Sequence, residues 1–183
     1  MSWIILGALA LFAVYAVSAY NRLVTLRNSG ESAWSDIDVQ LKRRYELIPN
    51  LVETVKGYAE HEKGTFEEVT KARSQAMQAN TPGEKGAAEG NLTNVLKSLF
   101  AVAEAYPELK ANENFLSLQG ELSSLEEAIQ SARRYYNAVV RDLNTATDVF
   151  PSNLVAGIFS IVKMEYFELD SGAERSAPQV DFS

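Results

Sequence analysis

A chain of 183 residues that gives roughly its first twenty to an apolar run leaves enough for one folded domain with a proper core, and not for two. With 24 acidic against 17 basic side chains, the net charge of -7 argues against nucleic acid as a partner held by counter-charge. The absence of Cys excludes disulfides, thiolate metal sites, thiol nucleophiles and a lipidated amino-terminal Cys.

From Trp3 to Tyr20 the chain reads WIILGALALFAVYAVSAY, without a charge. At about 1.5 Å per residue this run spans roughly 27 Å, sufficient to cross a bilayer. Trp3, Tyr15 and Tyr20 lie near its two ends, where part-polar rings suit the headgroup boundary. The run predicts a transmembrane anchor over residues 1–21, with the lipid bilayer as its partner. A cleavable signal peptide would carry basic residues ahead of the apolar run, and here only Met1 and Ser2 precede it. Gly7, Ala10, Ala13, Ala16 and Ala19 drift around a helix instead of forming one stripe, so no GxxxG packing face is expected. Arg22, Arg27, Lys42, Arg43 and Arg44 follow the anchor, which favours a cytoplasmic domain on a single-pass protein of the cell membrane. Long following domains translocate largely regardless of charge, so a periplasmic or other extracytoplasmic domain stays open.

Residues 22–169 read as the folded unit. Trp34, Ile37, Leu41, Tyr45, Ile48, Val52 and Val55 recur three or four apart, the buried stripe of a long helix continuous with the anchor. Pro49 lies inside that stripe and predicts a kink or short turn at Ile48-Pro49, because it removes a backbone donor. The stripe resumes through Tyr58, Phe66, Val69, Ala72 and Ala76, with Gly57 and Gly64 as candidates for close helix packing. NTPGEKG, from Asn80 to Gly86, has the chemistry of a loop. Leu92, Val95, Leu96, Leu99, Val102 and Ala103 then mark another helix, closed or kinked at Tyr106-Pro107.

Phe115, Leu118, Leu122, Leu125, Ile129, Ala132, Tyr136, Val139 and Leu143 alternate steps of three and four, a heptad seam of coiled-coil type. Asn112 is placed to cap that helix and Pro151 bounds its far end, giving about 38 residues. The apolar stretch Ser152 to Leu169 keeps no single face and predicts a short helix followed by an irregular packed segment. Residues 170–183 read as a polar tail, with Val180 and Phe182 available to dock. The fold class is therefore all-α: a transmembrane helix continuing into an elongated antiparallel bundle of about four long helices.

The search for chemistry yields no catalytic, cofactor-binding or metal-binding residue. His61 stands between Glu60 and Glu62 without the second histidine that a zinc-binding helix places one turn later. Glu60, Glu67, Glu68, Asp36 and Asp38 read as solvated helix faces, with Glu67 and Lys71 at i,i+4 spacing. No GxSxG or phosphate-binding glycine loop occurs. The glycosylation pattern at Asn91-Leu92-Thr93 falls within an expected helix. The basic cluster Lys42-Arg43-Arg44 would sit about 33 Å beyond the anchor on a straight helix, past the reach of lipid charge, and is expected to pair with acids of the same chain.

NRLVTLRN, AWSDIDVQLKRRYELIPNLVETVKGYAEHE, EAYPELKANENFLSLQGELSSLEEAIQSARRYYNAVVRDLN and VFPSNLVA together resemble the LemA family, over nearly the whole chain. The resemblance implies a bacterial membrane protein with one spanning helix and an antiparallel helical bundle. It implies no activity and supplies no catalytic or ligand-binding residue. Some members are lipoproteins, implying a domain outside the cytoplasm, but this chain lacks the Cys such anchoring needs. The expected function is a membrane-anchored scaffold that self-associates or holds other membrane proteins, without catalysis. Tyr135, Tyr136, Phe159, Tyr166 and Phe167 are candidates for its interface. The alternatives are membrane remodelling or lipid binding through Leu154 to Phe167, and a carboxylate-dependent hydrolase.

Overall fold

The structure is a computed structural model that describes residues 2–168, and within them every regular element is a helix. The elements are α1 (Ser2–Lys56), α2 (Lys63–Gln78), α3 (Pro82–Glu104), α4 (Pro107–Lys110), α5 (Glu113–Asp148) and α6 (Ser152–Ile158). The expected tail at 170–183 lies outside the described residues. Backbone contacts divide the described residues into two compact units, 2–40 with 128–166, and 41–127 with 167–168.

In the first unit, α1 and α5 run antiparallel. Leu23 shares a core with Leu143 and Ala146, Gly30 lies against Val139, and the rings of Trp34 and Tyr136 approach to 5.3 Å, so residue numbers rise along one helix as they fall along the other. After α5 the chain turns at a cis Phe150-Pro151 peptide into α6, whose Val155 and Ala156 join the same core. α6 ends with Ser160 at φ 52 and the Ile161 N–H donating to the Ala156 carbonyl, a helix stop that accepts a left-handed residue for the sake of its hydrogen bonds. The extended segment that follows is held on α5 by a two-way clamp: the Asn144 amide donates to the Met164 carbonyl and accepts from the Met164 N–H, each at 2.9 Å. This is the short helix and irregular packed segment that the apolar pattern of residues 152–169 predicts.

In the second unit, three expectations are corrected. Pro49 neither breaks nor kinks the chain into a turn, for α1 continues through it to Lys56 and the reversal comes at Gly57–Glu62. The carbonyl that Pro49 leaves without its helical donor is that of Tyr45, four residues back, and it accepts from Arg73 Nε at 2.7 Å. Only Asn80 and Thr81 of NTPGEKG belong to the connector after α2: α3 begins at Pro82, with Thr81 accepting from the Glu84 N–H and Glu84 reaching back to the Thr81 N–H. A capping box followed by Pro at the first helical position is a start signal, which outweighs the glycine content. Gly57 and Gly64 do not mark close packing either, since Gly57 faces only carbonyls of its own helix and nothing lies within 4 Å of a Cβ at Gly64. The close approaches fall at Gly30, against Met164, and at Gly86, where a Cβ would overlap the Glu168 carbonyl.

The seam of α5 holds along its length: Phe115, Leu122, Ile129, Tyr136, Val139 and Leu143 are buried, and Leu118, Leu125 and Ala132 are partly so. Asn112 caps it, accepting from the Phe115 N–H at 3.0 Å.

Candidate functional site

The one cluster of buried charge among the described residues lies in the second unit, where α1, α3 and α5 each place a charged group on an otherwise apolar face. Arg44 is 4% exposed and Glu89 is 1% exposed. Arg44 falls one helical turn from Leu41 and Ile48, and Glu89 one turn from Leu92, so the spacing that buries the leucines buries the charges with them. Arg44 Nη1 lies 3.0 Å from Glu89 Oε2 and 3.2 Å from Glu126 Oε2, while Nη2 donates to Thr93 Oγ1 at 2.8 Å. The Tyr45 hydroxyl donates to Glu89 Oε1, and Arg73 ties α2 to the same turn of α1 through the Tyr45 carbonyl.

Burial pushes the Glu89 carboxyl above its ordinary value of 4.5, against the opposing pull of Arg44, the Tyr45 hydrogen bond and Lys85. The guanidinium fork fits this role because it spreads one charge over several donors. Taking charges out of water costs several kcal/mol per ion before pairing recovers any of it, on the order of what a whole helix cap contributes several times over. The contacts of Arg44 with Glu89, Thr93 and Glu126 tie α1 to α3 and α5. The expectation that the Lys42-Arg43-Arg44 cluster pairs within the chain is met at Arg44.

A second polar contact stands in the first unit. The Tyr136 hydroxyl donates to the Glu165 carbonyl at 2.7 Å, and burial, with the nearby Glu165 carboxylate adding to it, pushes the phenol up to about 12. Tyr136 thus remains a donor throughout the physiological range.

Neither Glu89 nor Arg73 belongs to a motif that marks a site in the sequence. Glu89 is legible there as a charge in phase with Leu92, Leu96 and Leu99, and Arg73 as one in phase with Phe66, Val69 and Ala76; spacing does not give the partner of either. His61 is exposed, and no group of three or more His, Cys, Asp or Glu able to hold a metal occurs among the described residues. The interface candidates separate: Tyr136 and Phe167 are fully buried, whereas Tyr135, Phe159 and Tyr166 are exposed.

The geometry therefore describes a helical bundle with an apolar amino-terminal extension, and its sequence matches the LemA family profile over residues 33–182. The chain belongs to the LemA family. The magnetosome protein MamQ of Magnetospirillum gryphiswaldense is similar to it, 24% identical over 87% of this chain and 68% of its own length. The magnetosome protein MamQ 2 of Paramagnetospirillum magneticum is 25% identical, over 81% of this chain and 64% of its own length. The protein LemA of Metamycoplasma hominis is 26% identical, over 92% and 81% respectively. The chain spans about two thirds of the length of the magnetosome relatives it matches.

Proposed function

We propose that this LemA family protein is a membrane-anchored helical scaffold, self-associating or holding other membrane proteins, with no catalytic role. The observation that carries the reading is α1 itself. One helix is uncharged from Trp3 to Tyr20, exposed from Trp3 to Tyr15, and turns into core from Ala19 through Leu23 to Ile37, so the bundle is fixed to its anchor without a flexible linker. Such a mount suits a protein that presents a surface at a membrane. Tyr135, Leu116 and Val39 are exposed outside the core and supply aromatic and apolar surface of the kind interfaces use. The relatives fit this reading in that their names specify a subcellular structure or a family and no reaction.

The proposed topology is single-pass in the inner membrane with the bundle in the cytoplasm, supported by the exposed Arg22 and Arg27 directly after the apolar run. Light scattering of the detergent-extracted full chain, paired with crosslinking in native membranes, tests the scaffold. Dimers or larger species that Tyr135→Ser weakens are the expected result. A strict monomer at membrane-like concentration, crosslinking to no other protein, overturns it.

A further inference from the structure

The first unit carries an apolar surface that its own core does not use. From Val149 to Val162 the chain has no charged residue, and within that stretch Phe150 is 78% exposed, Ile158 76% and Val162 73%. Leu154 and Phe159 are exposed as well. Large side chains left outward in this density do not come from packing, because Val155 and Ala156 of the same helix already fill the core.

Their position along α1 identifies what covers them. Val155 and Ala156 share a core with Ala19 and Leu23, and Ala16 packs against that same core. The Phe159 ring lies 4.4 Å from that of Tyr20. Ala16, Ala19 and Tyr20 form the carboxyl end of the uncharged run, the stretch that meets the headgroup layer when Trp3 to Tyr20 spans a bilayer. The corner between α5 and α6 therefore sits at the depth where lipid begins, and its exposed side chains continue the apolar surface of the anchor. The polar groups of the corner are largely turned inward: the Ser152 hydroxyl donates to the carbonyls of Ala146 and Val149, and the Asn153 N–H donates to the Val149 carbonyl. At the rim, Lys163 pairs with Asp148 at 2.7 Å, placing charge on either side of the uncharged stretch where the headgroups lie.

We propose that Phe150 to Val162 is a second membrane-contacting element, a wedge seated in the lipid boundary beside the anchor. Its occupant is the acyl and headgroup layer of the bilayer that holds α1. The wedge takes apolar lipid surface and requires no anionic headgroup. It gives the bundle two points of contact with the membrane, which fixes the tilt of the first unit as a single helix cannot. This inference rests on the anchor reading of α1.

The chain has no native Cys, so single-cysteine probes report one site each. The full chain is reconstituted in vesicles of neutral phosphatidylcholine, with an environment-sensitive fluorophore at Val14→Cys, Phe150→Cys, Ile158→Cys or Ser117→Cys, and shallow doxyl-labelled lipid as quencher. The expected result is loss of fluorescence with doxyl lipid at positions 14, 150 and 158 and none at the exposed Ser117 site, with depths for the wedge of about 5–10 Å. Iodide in the buffer quenches in the reverse order. Quenching at position 14 but not at 150 or 158 overturns the wedge and leaves the anchor standing; no quenching at 14 overturns both. Protection from both quenchers at 158, with disulfides forming between two copies there, assigns the patch to a second copy and also overturns the wedge. Because these side chains are exposed, helical circular dichroism of each variant matching the parent is expected.

Discussion

Pro49 withholds the one backbone donor that would reach the Tyr45 carbonyl, and Arg73 supplies a replacement from another helix. A proline predicts a break only where the freed acceptor finds nothing else, which is why a rule built on local backbone chemistry placed the turn eight residues early. Arg73→Ala is expected to destabilise the fold by about 1–3 kcal/mol, the range for a partly buried acceptor left unsatisfied. In a Pro49→Ala background the helix donor returns and the loss shrinks. Urea unfolding of the four variants gives the coupling directly, and additive losses would show that Arg73 acts elsewhere. Glu89 makes a prediction of opposite character. Its carboxyl is raised in the fold because burial outweighs Arg44 and Tyr45. A raised folded value means that the folded state holds the proton more tightly than the unfolded one. The contribution is then fully present below 4.5 and is lost as pH rises through the folded value. The parent should lose stability relative to Glu89→Gln as pH climbs from 4.5 toward neutrality, measured as the difference between their urea midpoints. A difference that grows in the parent's favour would mean that the ion pair with Arg44 wins over desolvation.

At the scale of elements, Gly86 separates two roles that look alike in sequence. It stands in the second turn of α3, a poor place for glycine on propensity alone, yet the Glu168 carbonyl occupies the space a side chain would need. Gly64, in the first turn of α2, has nothing near it. Gly86→Ala is therefore expected to destabilise by about 1–3 kcal/mol through overpacking against backbone, while Gly64→Ala stabilises by about 0.4–1 kcal/mol. Thermal melts of both decide it, and equal effects at the two positions would refute the docking role. This pair also marks what the sequence discloses. Helix periods, the α5 seam, the Asn112 cap and the short α6 with its packed sequel follow from spacing, because each depends on residues a few positions apart. The extension of α1 through Pro49, the docking of the Phe167–Glu168 segment at Gly86 and the meeting of Arg44 with Glu89 depend on residues tens of positions apart. Periodicity carries no information about such partners, although it does place Arg44 and Glu89 on buried faces and so flags both as charges that need one.

For the whole molecule, the proposed topology turns on the basic residues that lie close to the apolar run. Two exposed arginines, Arg22 and Arg27, follow Tyr20 within the distance over which basic residues bias insertion, whereas Arg44 is taken up by Glu89 and Glu126 and Arg27 is partly engaged by Glu31 at 3.0 Å. The proposed cytoplasmic placement therefore rests on few charges, Arg22 and Arg27, the basic residues close to the end of the apolar run. Cysteine accessibility reads it without interference from native thiols. In spheroplasts, a membrane-impermeant maleimide should label Ser2→Cys and leave Ser117→Cys unlabelled until the membrane is permeabilised. The reverse pattern places the bundle outside while preserving the span, and labelling of both sites from one side contradicts the span itself. Replacing Arg22 and Arg27 together by glutamine should shift part of the population to the reversed pattern, since removing basic residues removes the bias and leaves the apolar length unchanged.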